Sequence, residues 1–396
     1  MRLAFFLLLY CAYAAAALAL LVWLLSRAFP RAGRKVFVPA AAVTGVLHLL
    51  PPAGALTPDG PLCWFFQKWG NILIGYFLYF FGTLFLVWLV LLFVRLVRRR
   101  GRESGRRPGQ TAARVVLAVL IVLTLAVNVC GSRTAQDVKV THWEVPAETL
   151  GQKEPLRIVL IADLHIGVNS SPKLYEDMVG RINEQNADLV LVAGDIVTSS
   201  FNAMREPETY AAILRGIRSR LGTYAVYGNH DVDEPLLGGF TVMGPERAVR
   251  NPAFPAFFEA CGWTLLTDET AVIPELSGLV IAGRRDKMRP GDGVAVRASL
   301  EELLAGVDPA APVLLLDHEP KGLDELSRYG VDMALSGHTH DGQMFPGNLI
   351  VRAFNQQTCG QKDWGGTQVF VTSGIGYYGP PLRLGTISEV MVIDLR

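Results

Sequence analysis

"VDMALSGHTHDGQMFP", residues 331–346, decides how this chain is read. An apolar run stops at a Ser-Gly turn and is followed by two histidines, His338 and His340. A buried imidazole with no partner is costly, so packing alone is a poor reason to end a core strand this way. On extended backbone, residues two apart point to the same side. The pair is therefore expected to face one site together.

The same ending recurs elsewhere. "IADLH" (161–165) closes on Asp163 and His165, and "AGD" (193–195) on Asp195. "YGNHD" (227–231) carries Asn229, His230 and Asp231, and "LLLDHEP" (314–320) carries His318. The chain has seven histidines. His48 lies in an apolar segment and His142 in a linker, and the other five all sit in these endings. Open α/β sheets gather ligands beyond the carboxyl ends of their strands. Imidazole and carboxylate without thiolate favour Mn, Fe or Zn over Cu(I), and are too rich in nitrogen for Ca or Mg. The candidate ligands are too many for one ion and suit two divalent ions sharing a carboxylate. Such a pair clamps a phosphate and holds a bridging hydroxide for in-line attack. The expected partner is a phosphoester.

Around these motifs the pattern is α/β. "LRIVLIAD", "ADLVLVAGD", "TYAVYGNHD", "GLVIAGRRD" and "APVLLLDHEP" read as strands, and "TQVFVTSG" and "SEVMVIDLR" close the chain. "SPKLYEDMVGRINEQN" reads as a helix capped by Ser171 with Pro172 at its first position. "YAAILRGIRSRLG" reads as a helix ending at Gly222, and "RASLEELLAGV" as another. This order suggests a layered α/β sandwich.

The first third is different. Four apolar runs, 4–25, 36–50, 71–94 and 112–131, are candidates to span a bilayer, which takes about 20 residues as a helix. The second is the weakest, being short and carrying Pro39. The first lacks a small-residue cleavage site, so a retained helix is favoured over a signal peptide. Residues 95–114 hold eight arginines and one glutamate. Between two apolar runs, this charge is expected to mark a cytoplasmic loop, which places the residues after 131 outside the cytoplasm. The expected division is 1–131 as a multi-pass membrane region, 132–155 as a linker with a leading strand, and 156–396 as the chemical domain. A net charge of +1 gives no reason to expect nucleic acid. The five cysteines form no zinc-binding spacing, and only Cys261 and Cys359 are candidates to pair.

"DLH", "GD", "GNHD", His318 and "GHTH" resemble, in order and form, the motifs of the calcineurin-like metallophosphoesterases. "GHTHDGQ" and "SGIGYYGPPLRLG" are similar to the bacterial membrane-associated branch, with Asp341 where that branch usually has glycine. The resemblance implies a four-layer α/β/β/α sandwich, here preceded by about four transmembrane helices. It implies one metal ion held by Asp163, His165, Asp195 and His340, and a second by Asp195, Asn229, His318 and His338. His230 would contact the phosphate and protonate the leaving oxygen, and Asp231 would orient His230.

The activity implied is hydrolysis of a phosphodiester or phosphomonoester. A phospholipid or lipid-linked substrate fits the membrane location, and a soluble nucleotide or sugar phosphate is the other option. A non-catalytic, metal-stabilised scaffold or regulatory module is the rival function, disfavoured because no motif residue is missing. The basic segment "GRRDKMRPGDG" (283–293) reads as a solvated loop, and Glu319 as a neighbour supporting a ligand. Tyr377, Tyr378, Pro380, Pro381 and Arg383 read either as the substrate mouth or as turn and packing residues.

Overall fold

The computed structural model describes residues 2–100, 109–242 and 250–396. The middle of the arginine-rich stretch expected to be a cytoplasmic loop, 101–108, lies outside the described residues, while 95–100 continue α4 and 110–114 begin α5. The chain divides into two compact units. Unit 1 comprises Met1–Gly131 with Leu236–Val242 and Gly379–Pro381; unit 2 comprises the rest. The last two segments of unit 1 fall inside the stretch that the sequence assigns to the chemical domain.

In unit 1 the helices are α1 (Arg2–Ala28), α2 (Arg34–His48), α3 (Leu50–Leu56) and α4 (Pro61–Arg100), with α5 (Gln110–Gln136) running on into unit 2. Four helical stretches are long and apolar enough to cross a membrane: Arg2–Ala28, Arg34–Leu56, Pro61–Val97 and Gln110–Gln136. The run at 36–50, short by sequence, is lengthened because α3 follows α2 almost without a break. Leu21, Leu24, Phe77, Phe81, Leu84 and Leu120 pack together inside the group. Leu8, Leu86, Phe93 and Val122 are left exposed, a distribution that suits lipid rather than water as solvent.

In unit 2 the strands form two six-stranded sheets. Along the chain come β1 (Val138–Val145), β2 (Leu156–Ile161), α6 (Pro172–Glu184), β3 (Leu189–Ala193), α7 (Pro207–Leu214) and β4 (Thr223–Val226). The hairpin β5 (Leu236–Leu237) and β6 (Phe240–Thr241) belongs to unit 1. Then follow α8 (Phe254–Cys261), β7 (Thr264–Leu265), β8 (Glu269–Ile273), β9 (Leu279–Gly283), α9 (Leu300–Leu304) and β10 (Val313–Leu316). The chain ends with β11 (Met333–Ser336), α10 (Gly347–Phe354), β12 (Gly360–Trp364), β13 (Thr367–Val371) and β14 (Ser388–Leu395). The first sheet has the order β1-β14-β2-β3-β4-β7 and the second β12-β13-β11-β10-β9-β8. The stretch 132–155 thus supplies a full edge strand, β1, paired in parallel with β14.

Strand alternation builds the layers. Ile158 and Leu160 of β2 face Leu314 and Leu316 of β10 in the core between the sheets. Their neighbours Val159 and Ile161 face the opposite way, onto Leu174, Met178 and Ile182 of α6. On the far side, Val313 and Leu315 meet Leu300, Leu323 and Leu326. The result is an α/β/β/α sandwich.

Two helices are shorter than their sequence periodicity suggests. The helix expected to reach Gly222 stops at Leu214, because Arg220 and Leu221 donate backbone hydrogen bonds to Ala187 (3.1 Å) and Asp188 (2.8 Å) and draw the chain toward β3. Helix α9 is capped by Ser299 and Glu302 in a reciprocal box but keeps only five residues. The segment 283–293 is not a solvated loop. Asp286 and Arg289 are buried, and Arg289 binds Glu234 in a bidentate pair at 2.7 and 3.0 Å. Cys261 is buried, Cys359 exposed, and both are free thiols.

Candidate metal centre

β2, β3 and β4 of one sheet and β10 and β11 of the other all end at the same edge of the sandwich. Beyond β2 and β3 the chain stays zipped together: Asp163 N donates to Gly194 O (2.9 Å), His165 N to Asp195 O (3.0 Å) and Ile166 N to Ile196 O (2.9 Å). Asp163, His165, Asp195, His338 and His340 all have φ between 46° and 72°. That left-handed region costs a non-glycine residue about 1–3 kcal/mol and persists only where surroundings enforce it. The motif glycines permit the crowding. A Cβ on Gly228 would strike the Asp195 carboxylate, and one on Gly337 would lie 2.5 Å from Asp163 Oδ2.

The side chains form two clusters, Asp163 with His165 and His340, and Asp195 with His318 and His338. In the first, the Nε2 atoms of His165 and His340 lie 2.9 Å apart, and His340 Nε2 is 3.5 Å from Asp163 Oδ1. In the second, His318 Nε2 is 3.1 Å from Asp195 Oδ2 and 3.0 Å from Asn229 Oδ1. His338 Nδ1 is 2.8 Å from the same Asn229 oxygen. Asp195 Oδ2 also lies 3.7 Å from His165 Nε2, so one carboxylate oxygen is near both groups.

His338 and His340 do not lie on extended backbone. Thr339 between them is helical and both histidines are left-handed, so the turn sends them apart, one to each cluster. Asp341 accepts the left-handed shape at the position where glycine is usual (φ 45°). Arg352 pairs with its carboxylate at 2.9 and 3.2 Å, and Thr358 donates to it at 3.0 Å.

The donor chemistry fits a pair of cations. His318 Nδ1 meets the carbonyl of Ala193 at 2.7 Å, and a carbonyl only accepts, so that nitrogen carries a proton. Nε2 of the neutral ring is then a lone pair facing the oxygens of Asp195 and Asn229. Positive charge between them reconciles these acceptors. Burial opposes charge on His318, yet Asp195, by its field and hydrogen bond, and Asp163 beyond it raise the imidazole well above its ordinary value. A cation there would take over the role of that proton. Burial lifts Asp163 to about 7 and lowers His165 and His338 to about 4. The imidazole lone pairs are therefore available at neutral pH. Asp195 stays well below the usual carboxylate range despite burial, because His318 and His230 face it.

His230 stands beside both clusters. Its backbone N donates to Asp195 Oδ1 (2.7 Å), and burial lowers its ring to about 3. The expected orienting residue, Asp231, does not reach that ring. Its two oxygens accept the N–H groups of Asp195, Ile196, Val197 and Gly228 at 2.7–3.0 Å. His230 Nδ1 instead meets Ser199 Oγ at 2.8 Å. Ser199 was not singled out in the sequence, where the polar run "VTSSFN" after "GD" is the only hint.

Other residues flank the centre. The Tyr378 ring lies over His230 with centroids 4.4 Å apart. Gln343 holds Tyr378 in place, accepting from its N–H (2.7 Å) and donating to its carbonyl (3.0 Å). Arg383 is fully buried and donates to the carbonyls of Gly376 (2.6 Å), Ser373 (2.8 Å) and Gly374 (3.0 Å). Its Nη2 also lies 3.4 Å from His340 Nδ1. Arg383 is thus an interior brace rather than part of a substrate mouth. Glu319, buried beside His318, pairs with Lys321 at 2.6 Å.

Residues 156–342 match the model of the calcineurin-like phosphoesterase family. A Danio rerio relative named as a transmembrane protein with metallophosphoesterase domain is 30% identical over 329 residues, 82% of this chain and 71% of its own length. A Bos taurus relative of the same name is 32% identical over 315 residues, 76% of this chain and 67% of its own. An uncharacterised metallophosphoesterase of Helicobacter pylori is 30% identical over 246 residues, 61% of this chain and 60% of its own. With its two histidine–carboxylate clusters gathered at one sheet edge, the chain belongs to the calcineurin-like phosphoesterase family, whose hydrolases act on phosphoric esters.

Proposed function

We propose that this protein is a membrane-anchored phosphoesterase with a dinuclear site, one ion at Asp163, His165, Asp195 and His340 and the other at Asp195, Asn229, His318 and His338. The observation that carries this reading is the position of Asp195 Oδ2, 3.7 Å from His165 Nε2 and 3.1 Å from His318 Nε2, as a shared ligand requires. Two divalent ions bound there would supply Lewis-acid charge for the phosphoryl oxygens and lower the pKa of an attacking water.

The chain's own residues do the rest. Ser199 fixes the His230 ring through Nδ1, which leaves Nε2 for a substrate oxygen. The negative charge of a bound phosphoester would favour the imidazolium; Nδ1–H then donates to Ser199 Oγ, and Nε2 gives its proton to the leaving oxygen, returning the ring to neutral. Tyr378 covers one side of His230 and excludes water from that proton transfer.

The membrane part of the proposal rests on four helical stretches of spanning length and on the names of the two transmembrane relatives. A multi-pass chain with its catalytic unit outside the cytoplasm agrees with the arginines at 95–114. A site tethered in this way favours a phosphoester carried by lipid over a soluble one.

The test is hydrolysis of bis(p-nitrophenyl) phosphate by the full chain, stripped of metal and then supplied with Mn. Turnover that returns with Mn and is lost in Asp195→Asn supports the dinuclear hydrolase. A folded, metal-loaded chain without turnover on this ester or on phospholipid vesicles would favour the scaffold.

A further inference from the structure

Helix α10 buries none of its eight residues. Leu349 and Ile350 are each 57% exposed and Phe354 is 85% exposed. Exposed apolar residues standing alone, such as Val272, Met288 and Tyr329, need no explanation. Three on one short helix form a face. Ile350 and Phe354 are four apart and stack along it.

The opposite side of α10 is polar and fixed. Arg352 pairs with Asp341, the residue after His340. Asn348 packs so closely on Gly342 that any side chain there would strike its backbone. The helix is therefore braced from behind by the loop carrying His338 and His340, and its apolar side faces outward.

The nearest apolar phase follows from the connectivity. Helix α5, of membrane-spanning length, ends at Gln136, and β1 begins at Val138. Ala135, on the last turn of α5, is fully buried in the core of unit 2. A single residue, Asp137, therefore connects β1 to a helix of membrane-spanning length. A short helix with one apolar and one polar side is of the kind that lies flat in the headgroup region.

We propose that α10 is an interfacial anchor, with Leu349, Ile350 and Phe354 among the acyl chains, holding the His338–His340 loop at the lipid surface. This rests on the reading of α1, α4 and α5 as membrane-spanning, and gives that reading a consequence for the site: a phosphoester carried in the bilayer meets the metal centre without leaving the interface.

The test uses the full chain in phosphatidylcholine–phosphatidylglycerol liposomes with brominated acyl chains. Phe354→Trp is compared with wild type, so that the seven native tryptophans cancel in the difference spectrum. The added emission is expected to be blue-shifted and largely quenched by bromolipid, and less quenched when Leu349→Asp and Ile350→Asp are added. A red-shifted, unquenched signal would place α10 in water and overturn the proposal. A blue-shifted but unquenched signal would mean coverage by protein, such as a second copy, and overturns it equally. Carbonate extraction separates the two levels. If the Phe354→Trp chain stays in the membrane while its added emission is unquenched, only the α10 proposal is lost. If carbonate releases the chain, the membrane reading is lost as well.

Discussion

His230 Nδ1 lies 2.8 Å from Ser199 Oγ, while the carboxylate of Asp231, its neighbour in the chain, is spent entirely on backbone N–H groups. The two residues that flank His230 in function and in sequence therefore do different work. His230→Ala is expected to lower kcat by about 10²–10⁴-fold, the usual range for a positioned acid. Ser199→Ala removes one hydrogen bond worth about 0.5–1.5 kcal/mol, so the loss is about two- to tenfold. Asp231→Asn places an amide donor against backbone donors and is expected to lower stability by about 1–3 kcal/mol. Steady-state kinetics beside thermal unfolding of the same variants checks this division. Equal kinetic loss in Ser199→Ala and His230→Ala would be unexpected.

Arg383 braces the loop against which Asp163 and His340 are set: Gly376 N donates to Asp163 O at 2.8 Å, and Arg383 holds Gly376 O. Arg383→Ala is expected to release the ion at Asp163, His165 and His340 while the one at Asn229, His318 and His338 is retained. Arg383→Lys, which keeps the charge but not the planar fork, should fall between. Metal analysis at limiting Mn reads the difference without any turnover, and the retained ion reports that the chain is still folded.

Gly337→Ala would place a Cβ 2.5 Å from Asp163 Oδ2. Asp163 cannot retreat, since burial surrounds it completely. Overpacking of this kind costs about 1–3 kcal/mol, and Mn affinity is expected to fall with stability. Isothermal titration of the metal-free chain would show it. An unchanged affinity would mean that Asp163 is not a ligand.

Arg289 and Glu234 form a pair whose side chains are 5% and 1% exposed. Burial lifts the Glu234 carboxyl, and Arg289 pulls it part of the way back. Arg289→Ala strands that carboxylate and is expected to cost about 3–5 kcal/mol. The double change Arg289→Met with Glu234→Leu should recover most of the loss, because no buried charge is then left unpaired. Denaturant unfolding of the three chains decides it.

The motif side chains, the apolar helices and most strand segments were legible because each depends on local pattern. Short apolar runs such as those of β2 and β10 predict buried strands, and a long apolar run predicts a helix of spanning length whatever its surroundings. The chemistry of the donor set is likewise a property of residue types. What the pattern does not carry is contact between distant segments. Whether His338 and His340 face together or apart depends on the backbone of Thr339 and on Asp341 being held by Arg352 and Thr358. Ser199 meets His230 only because Asp231 binds the turn after β3 and pulls the two loops together. A basic, glycine-rich stretch such as 283–293 reads as solvated until tertiary structure buries it against Glu234. Composition and spacing alone thus determined the ligand types and the apolar character of the first third of the chain. The tertiary structure decided which side chain meets which, since hydrogen bonds and ion pairs between loops far apart in sequence have no period to betray them.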